Sequence, residues 1–260
     1  MVPGNQRKLS PMNRQYRYFD LVMTLFVTIL LLSNLLSSAK FIDLGISIGP
    51  LALAFDAGTL VFPISYIFGD ILTEVYGYRR SRRVIWMGFL ATALMGFFVW
   101  LTGALPAPAW WEESVGQSSY DAVLGSISAL VVASLVAYFM GEFTNSFVLA
   151  KMKIATQGRW LWSRTIGSTL VGQAVDSVAF IVIATALAPQ TFPPDQMLNL
   201  IVTNYILKVG IEVLFTPLTL WIVNRLKSVE NEDVYDYDTD FNPFKFNTAQ
   251  KESPDGNATN

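Results

Sequence analysis

The chain has 260 residues, 52% of them hydrophobic and only 15% charged, with a net charge of -2. Its mean hydropathy is +0.41, whereas soluble domains carry about 25% charged residues, so a soluble fold is excluded. The absence of Cys and His excludes a disulfide framework, thiol chemistry and the commonest metal ligand and proton shuttle.

The first 18 residues, "MVPGNQRKLSPMNRQYRY", are polar and basic and read as a cytoplasmic segment, 1–18. The apolar stretch behind them has span length and no small-residue cleavage site, so it predicts a first transmembrane helix rather than a signal peptide. Apolar stretches of about 20 residues recur along the chain, enough to cross a hydrocarbon layer of roughly 30 Å. They predict an all-α integral membrane protein, a six-helix bundle over 19–227. The spans are Phe19–Ser38, Ile46–Gly69, Val84–Ala104, Val123–Phe143, Thr165–Ala188 and Met197–Asn224. A tail, 228–260, follows; it is acidic and aromatic, and its end, "NTAQKESPDGNATN", has a disordered composition.

The basic residues set the orientation. Arg7, Lys8, Arg14 and Arg17 precede the first span; Arg79, Arg80, Arg82 and Arg83 follow the second. Lys151, Lys153, Arg159 and Arg164 follow the fourth, and Arg225, Lys227, Lys245 and Lys251 follow the sixth. Only Lys40 and Lys208 depart from this side, so the positive-inside rule places both termini in the cytoplasm. Trp110 and Trp111, in the long outer loop, suit an interfacial anchor. In the tail, Phe241, Phe244 and Phe246 around Pro243 fit either a docked segment or one end of a solvated acidic face.

Ionisable residues within spans are costly and tend to face a cavity or a partner. Asp56, Glu142, Asp176, Lys208 and Glu212 are such residues, joined by the amides of Asn34, Asn145, Gln173 and Asn204. Lys208 and Glu212 are four apart on one helix face and are expected to pair. Gln173 with Asp176, Glu142 with Asn145, and Asp70 with Glu74 share faces in the same way. Polar glue between helices, about 0.6 kcal/mol per contact, accounts for single amides. The acids outnumber the one intramembrane lysine, which favours a shared polar cavity. Pro50 and Pro63 flank Asp56, and Pro217 follows Glu212; helices interrupted in this way surround substrate sites in transporters.

"IFGDILTEVYGYRRSRRVIW" and "YFMGEFTNSFVLAKMKIATQGRW" align weakly, Gly69–Asp70 with Gly141–Glu142 and Thr73 with Asn145. This predicts a parallel internal repeat of spans 2–3 and 4–5. No Ser-His-Asp triad, Cys-His pair, phosphate loop or HExxH motif is present, so an enzyme is not expected and neither cofactor nor metal is called for. The basic residues follow topology and do not argue for nucleic acid. Transport, channel and receptor roles remain. Carboxylates, amides and aromatics suit a small planar polar solute such as a purine-like base, held by bidentate hydrogen bonds and stacking. The same groups suit a cation.

"FGDILTEVYGYRRSRRVIW" resembles the hallmark segment of the queuosine precursor transporter, or VUT, family. "GEFTNSFVLAKMKI", "SRTIGSTLVGQAVDSVAF", "NYILKVGIEVLFTPLTLWIVNRLK" and "YDYDTDFNPF" extend the resemblance over Phe19 to Phe246. It implies an inner-membrane importer of 7-cyano-7-deazaguanine or 7-aminomethyl-7-deazaguanine, working by alternating access. With that substrate, Asp176 with Gln173 and Glu142 with Asn145 are expected at the guanine edge, with Asn34 nearby. Lys208 and Glu212 would form a shifting ion pair. Asp70 and Glu74 would close a cytoplasmic gate against Arg79, Arg82 or Arg83. The rivals are a substrate-binding subunit of an ATPase-driven vitamin importer, although the first helix lacks an AxxxA docking motif, and a cation or metal carrier. A homodimer fits small six-span transporters, with no sequence feature behind it.

Overall fold

Among the described residues, five stretches fold into helices long and apolar enough to cross a membrane. They are α1 (Phe19–Ala39), α3 (Tyr78–Ala104), α6 (Ile127–Ala155), α7 (Leu161–Leu187) and α8 (Met197–Glu230). A sixth helix, α2 (Phe62–Tyr76), is shorter, and two small ones, α4 (Ala109–Ser114) and α5 (Gln117–Tyr120), occupy the long loop after α3. The computed structural model describes residues 16–48, 51–125, 127–187, 189, 194–237 and 239–244. Arg7, Lys8, Arg14, Pro50, Lys245, Phe246, Lys251 and the far end of the tail lie outside the described residues.

The expected second span is corrected. Its first half forms an antiparallel hairpin, β1 (Phe41–Ile48) with β2 (Leu51–Asp56), in which Phe41 faces Asp56 and Ile48 faces Leu51. A helical turn, Ala57–Leu60, then leads into α2. Together they run back along α1: Ser37 meets Asp56 at one end, and Phe19 meets Tyr76 edge-on, centroids 5.1 Å apart, at the other. The helical part is therefore displaced toward the acidic segment. Apolar content alone counted the hairpin into the span and left Asp70 and Glu74 at its edge. Pro63 occupies the first turn of α2, where its missing N–H costs nothing, so it begins a helix instead of interrupting one. Pro217 lies within an unbroken α8.

Helices α3, α6, α7 and α8 extend beyond the expected segments at their basic ends. Helix α6 continues to Ala155, and α8 to Glu230. These extensions carry Lys153 and Lys227 past the apolar layer. The core is built from Phe26, Leu30, Ile71, Leu72, Val75, Ile85 and Tyr138, all buried. Leu21, Leu90, Phe98, Trp100, Leu214 and Trp221 are exposed around the bundle, an outer surface suited to lipid.

The tail docks. Arg82 donates to the carbonyls of Asp240 (2.9 Å) and Asn242 (2.6 Å), and the Trp86 indole to that of Pro243 (2.8 Å). Phe241 packs on Tyr78 with centroids 4.9 Å apart, and Phe244 on Phe139 at 5.6 Å. Of the two sequence-based alternatives for this segment, the docked one holds for Phe241 and Phe244.

Candidate functional site

Polar residues line the bundle interior at three levels, because each inner helix face substitutes carboxylates, amides and hydroxyls for the expected leucines. At the Asp56 end lies a narrow cavity of about 30 Å³, room for about one water. Asn34 and Ser37 of α1, Asp56, Phe62, Ser134 of α6 and Phe180 of α7 form its walls, and Asp176 and Lys208 lie at its base. Asp56 is held by Ser37 (2.5 Å), by the Thr59 amide (3.1 Å) and by the Thr59 hydroxyl (2.9 Å). Lys208 donates to Asp176 at 2.7 Å and lies 4.4 Å from the centre of the Phe62 ring. The pair is almost wholly withdrawn from solvent, with side-chain exposures of 9% for Lys208 and 2% for Asp176.

One to two turns further in, five helices meet at a second level. Asn145 of α6 donates to Asp70 of α2 at 2.7 Å. Glu212 of α8 accepts from Thr169 at 2.5 Å and from the amide of Gln173, both on α7. Thr73, Ser81 and Ser146 bond one another across α2, α3 and α6. Glu142 lies here too, fully buried.

The third level closes the other end. Glu74, 1% exposed, accepts through one oxygen from Arg164 (2.7 Å) and Lys227 (2.5 Å), with Lys153 at 3.5 Å. Lys153 also donates to the Glu74 carbonyl (2.8 Å), and Lys153 and Lys227 both reach Asp233 in the tail, at 2.7 and 2.9 Å. Partial burial pushes the Asp233 carboxyl up, but the two ammonium groups outweigh it and hold the group below the usual carboxylate range. Three cations around two acids, spread over α2, α6, α7, α8 and the tail, make a charged cluster.

The expected Lys208–Glu212 pairing is corrected: Lys208 pairs with Asp176. Of the amides expected to share faces with Asp176 and Glu142, Gln173 donates to Glu212 and Asn145 to Asp70. Glu74 takes Arg164, Lys227 and Lys153 in place of Arg79, Arg82 or Arg83, and Arg82 holds the tail. Spacing along one helix finds residues on a common face but not the residue that a neighbouring helix presents to it. Asn34, Asp176 and Lys208 do border one cavity, whereas Glu142, Asn145 and Gln173 are absent from its lining. The sequence reading missed Ser37, Phe62, Ser134 and Phe180 as cavity walls. It also gave Arg164, Lys153 and Lys227 a purely topological role; their signal was a basic residue within a turn or two of an apolar span. Among the described residues, no group of three or more acidic side chains is placed to hold a metal ion.

A helical bundle with a polar cavity at one end, buried charges in its middle and an ionic cluster at the other is an architecture suited to a membrane-embedded transporter. The sequence pattern of the putative vitamin uptake transporter (VUT) family matches residues 56–222, and the chain belongs to that family. It is similar to the probable queuosine precursor transporter of Bacillus subtilis (strain 168), 26% identical over 161 residues, covering 62% of this chain and 68% of the relative. The queuosine precursor transporter of Escherichia coli (strain K12) is 23% identical over 158 residues, covering 61% and 67% of the two chains. A probable queuosine precursor transporter of Haemophilus influenzae is 21% identical over 161 residues, covering 62% and 65%. These relatives are transporters, not enzymes. No solved structure matches the chain.

Proposed function

We propose that this protein imports a queuosine precursor, 7-cyano-7-deazaguanine or 7-aminomethyl-7-deazaguanine, across the bacterial inner membrane by alternating access. Both termini and the Glu74 seal face the cytoplasm, consistent with the basic residues at that end. The cavity at Asp56 then faces outward, so the structure corresponds to an outward-facing, inwardly sealed state.

The buried Asp176–Lys208 pair between Phe62 and Phe180 carries this reading. A carboxylate accepts two parallel N–H bonds from a guanine-type edge, and two aromatic rings flank a flat base. Substrate takes the place of Lys208 on Asp176, Asn34 meets a ring carbonyl or nitrogen, and the narrow cavity widens to admit the bicyclic ring. The freed lysine is the link between occupancy and closure. Release inward requires the Glu74 cluster to open. The internal repeat and a homodimer belong to the same proposal; superposition of α2–α3 on α6–α7 and native mass in detergent test them.

The decisive experiment is uptake of radiolabelled 7-cyano-7-deazaguanine by the purified chain in liposomes without ATP. Saturable entry, lost in Asp176→Asn, is expected. Entry only when an ATPase module is added would replace the proposal with the binding-subunit alternative, and entry of divalent cations instead would replace it with a cation carrier.

A further inference from the structure

Among the described residues, every acid buried within the bundle has a partner except one. Asp176 has Lys208, Asp70 has Asn145, Glu212 has Thr169 and Gln173, and Glu74 has three cations. Glu142 is 0% exposed, and neither of its carboxyl oxygens has a hydrogen-bond partner. The Tyr66 hydroxyl, Asn145 Oδ1, Gln173 Oε1 and Ser177 Oγ are also buried without partners. The carboxyl lies directly against Gly69 of α2: a Cβ at that position would overlap Glu142 Oε1. The groups acting on it are Asp70 from α2, Asp176 from α7 and Glu212 from α8. The Tyr66 and Tyr138 phenols are close enough to feel its charge. Helix α3 meets this level through Ile85 and Gly88, which contact Tyr138.

An isolated buried carboxylate surrounded by other acids is untenable as an anion; it must be neutralised or paired. Glu142 does not line the cavity, so substrate does not pair it. No three acids converge on a metal position among the described residues. A proton is the ligand that needs no space beside Gly69. We infer that Glu142 is the proton-binding residue of a proton-coupled import cycle. The cavity wall at Ser134 and Ala137 lies one to two turns outward of it on α6. Asn145 and Asp70 lie on its inner side, with Asp70 one turn above Glu74. One proton is taken from the outer water onto a Glu142 oxygen and is given to the cytoplasmic water when the seal opens. Each cycle moves one proton with one base, and one net positive charge when the base is neutral.

This inference rests on the transport reading above, and one experiment separates the two. Proteoliposomes containing the full chain and a trapped pH-sensitive dye are given external 7-cyano-7-deazaguanine, and base entry and lumen acidification are recorded together. Acidification in step with entry is expected, as is accumulation of the base above its external concentration under an alkaline-inside gradient. Glu142→Gln is expected to lose both signals; its exchange of labelled against unlabelled base, read in the same vesicles, reports folding. Base entry by the wild-type chain without acidification overturns the coupling inference and leaves the transport reading standing. Acidification retained in Glu142→Gln overturns the assignment to Glu142. No entry of base at all overturns the transport reading itself.

Discussion

Lys208 gives its proton-rich end to Asp176, 32 residues earlier in the chain, at 2.7 Å, and passes over the Glu212 that shares its own helix face. Breaking one side of a buried pair costs about 3–5 kcal/mol, because the other charge is left unpaired. Lys208→Met and Asp176→Asn are each expected to lose stability of that order in detergent unfolding. The combined Lys208→Met, Asp176→Leu variant should recover most of it, since apolar replacements of buried pairs are often neutral, yet remain unable to take up substrate. Single variants as stable as wild type would show that the pair is not buried as described.

Glu74 is the hub of the ionic cluster that the proposal makes the inner seal. Glu74→Gln leaves Lys153, Arg164 and Lys227 facing one another with Asp233 as their remaining acid. The chain contains no cysteine, so Ser146→Cys provides a unique thiol just above the seal. Its labelling by a water-soluble maleimide from the cytoplasmic side is expected to rise about tenfold in the Glu74→Gln background, the effect of about 1.4 kcal/mol on an opening equilibrium. An unchanged rate would remove Glu74 from the seal.

The docked tail has an acid limit that follows from Asp233. Its folded-state pKa lies below the unfolded value of about 3.9. Its contribution is therefore complete above that value and is lost as pH falls through the folded pKa. Hydrogen-exchange protection of residues 231–244, corrected for intrinsic rate, should stay level from pH 8 to 5 and decline only below about pH 4. Asp233→Asn should weaken protection at neutral pH and flatten that decline. Because Asp233 is 44% exposed, added salt should reduce the difference between the two proteins.

Phe241 and Phe244 fasten the same segment. Aromatic pairs of this kind contribute about 0.5–1.5 kcal/mol each beyond burial. Phe241→Ala and Phe244→Ala should each raise exchange in residues 239–244 several-fold. Trp86→Phe, which removes the donor to the Pro243 carbonyl, should do the same without emptying the aromatic cluster. Protection equal to wild type in all three variants would mean that neither the aromatic contacts nor the indole bond fastens the segment.

The long helices were legible because each carries some 20 apolar residues in succession, a signal that survives ignorance of tertiary contacts. The second element was not, since hydropathy counted the strands β1 and β2 into a helix and set the helical "GDILTEVY" at its edge. Asp176, Lys208 and Asn34 stood out as polar groups at membrane depth, and the cavity does gather them. Their partners were hidden because Lys208 reaches Asp176 by the docking of α7 on α8. Arg164 illustrates the same limit: it counts toward orientation wherever it points, and only packing turns it toward Glu74.

Helix α2 spans about 22 Å at 15 residues, less than a hydrocarbon layer of roughly 30 Å. Twelve of its residues, from Pro63 to Tyr76, are buried by protein. A segment that scarcely meets lipid has no thickness to match and incurs little penalty for polarity. The surrounding helices act as its bilayer, and this insulation lets one short helix carry Asp70 and Glu74 through the middle of a membrane protein.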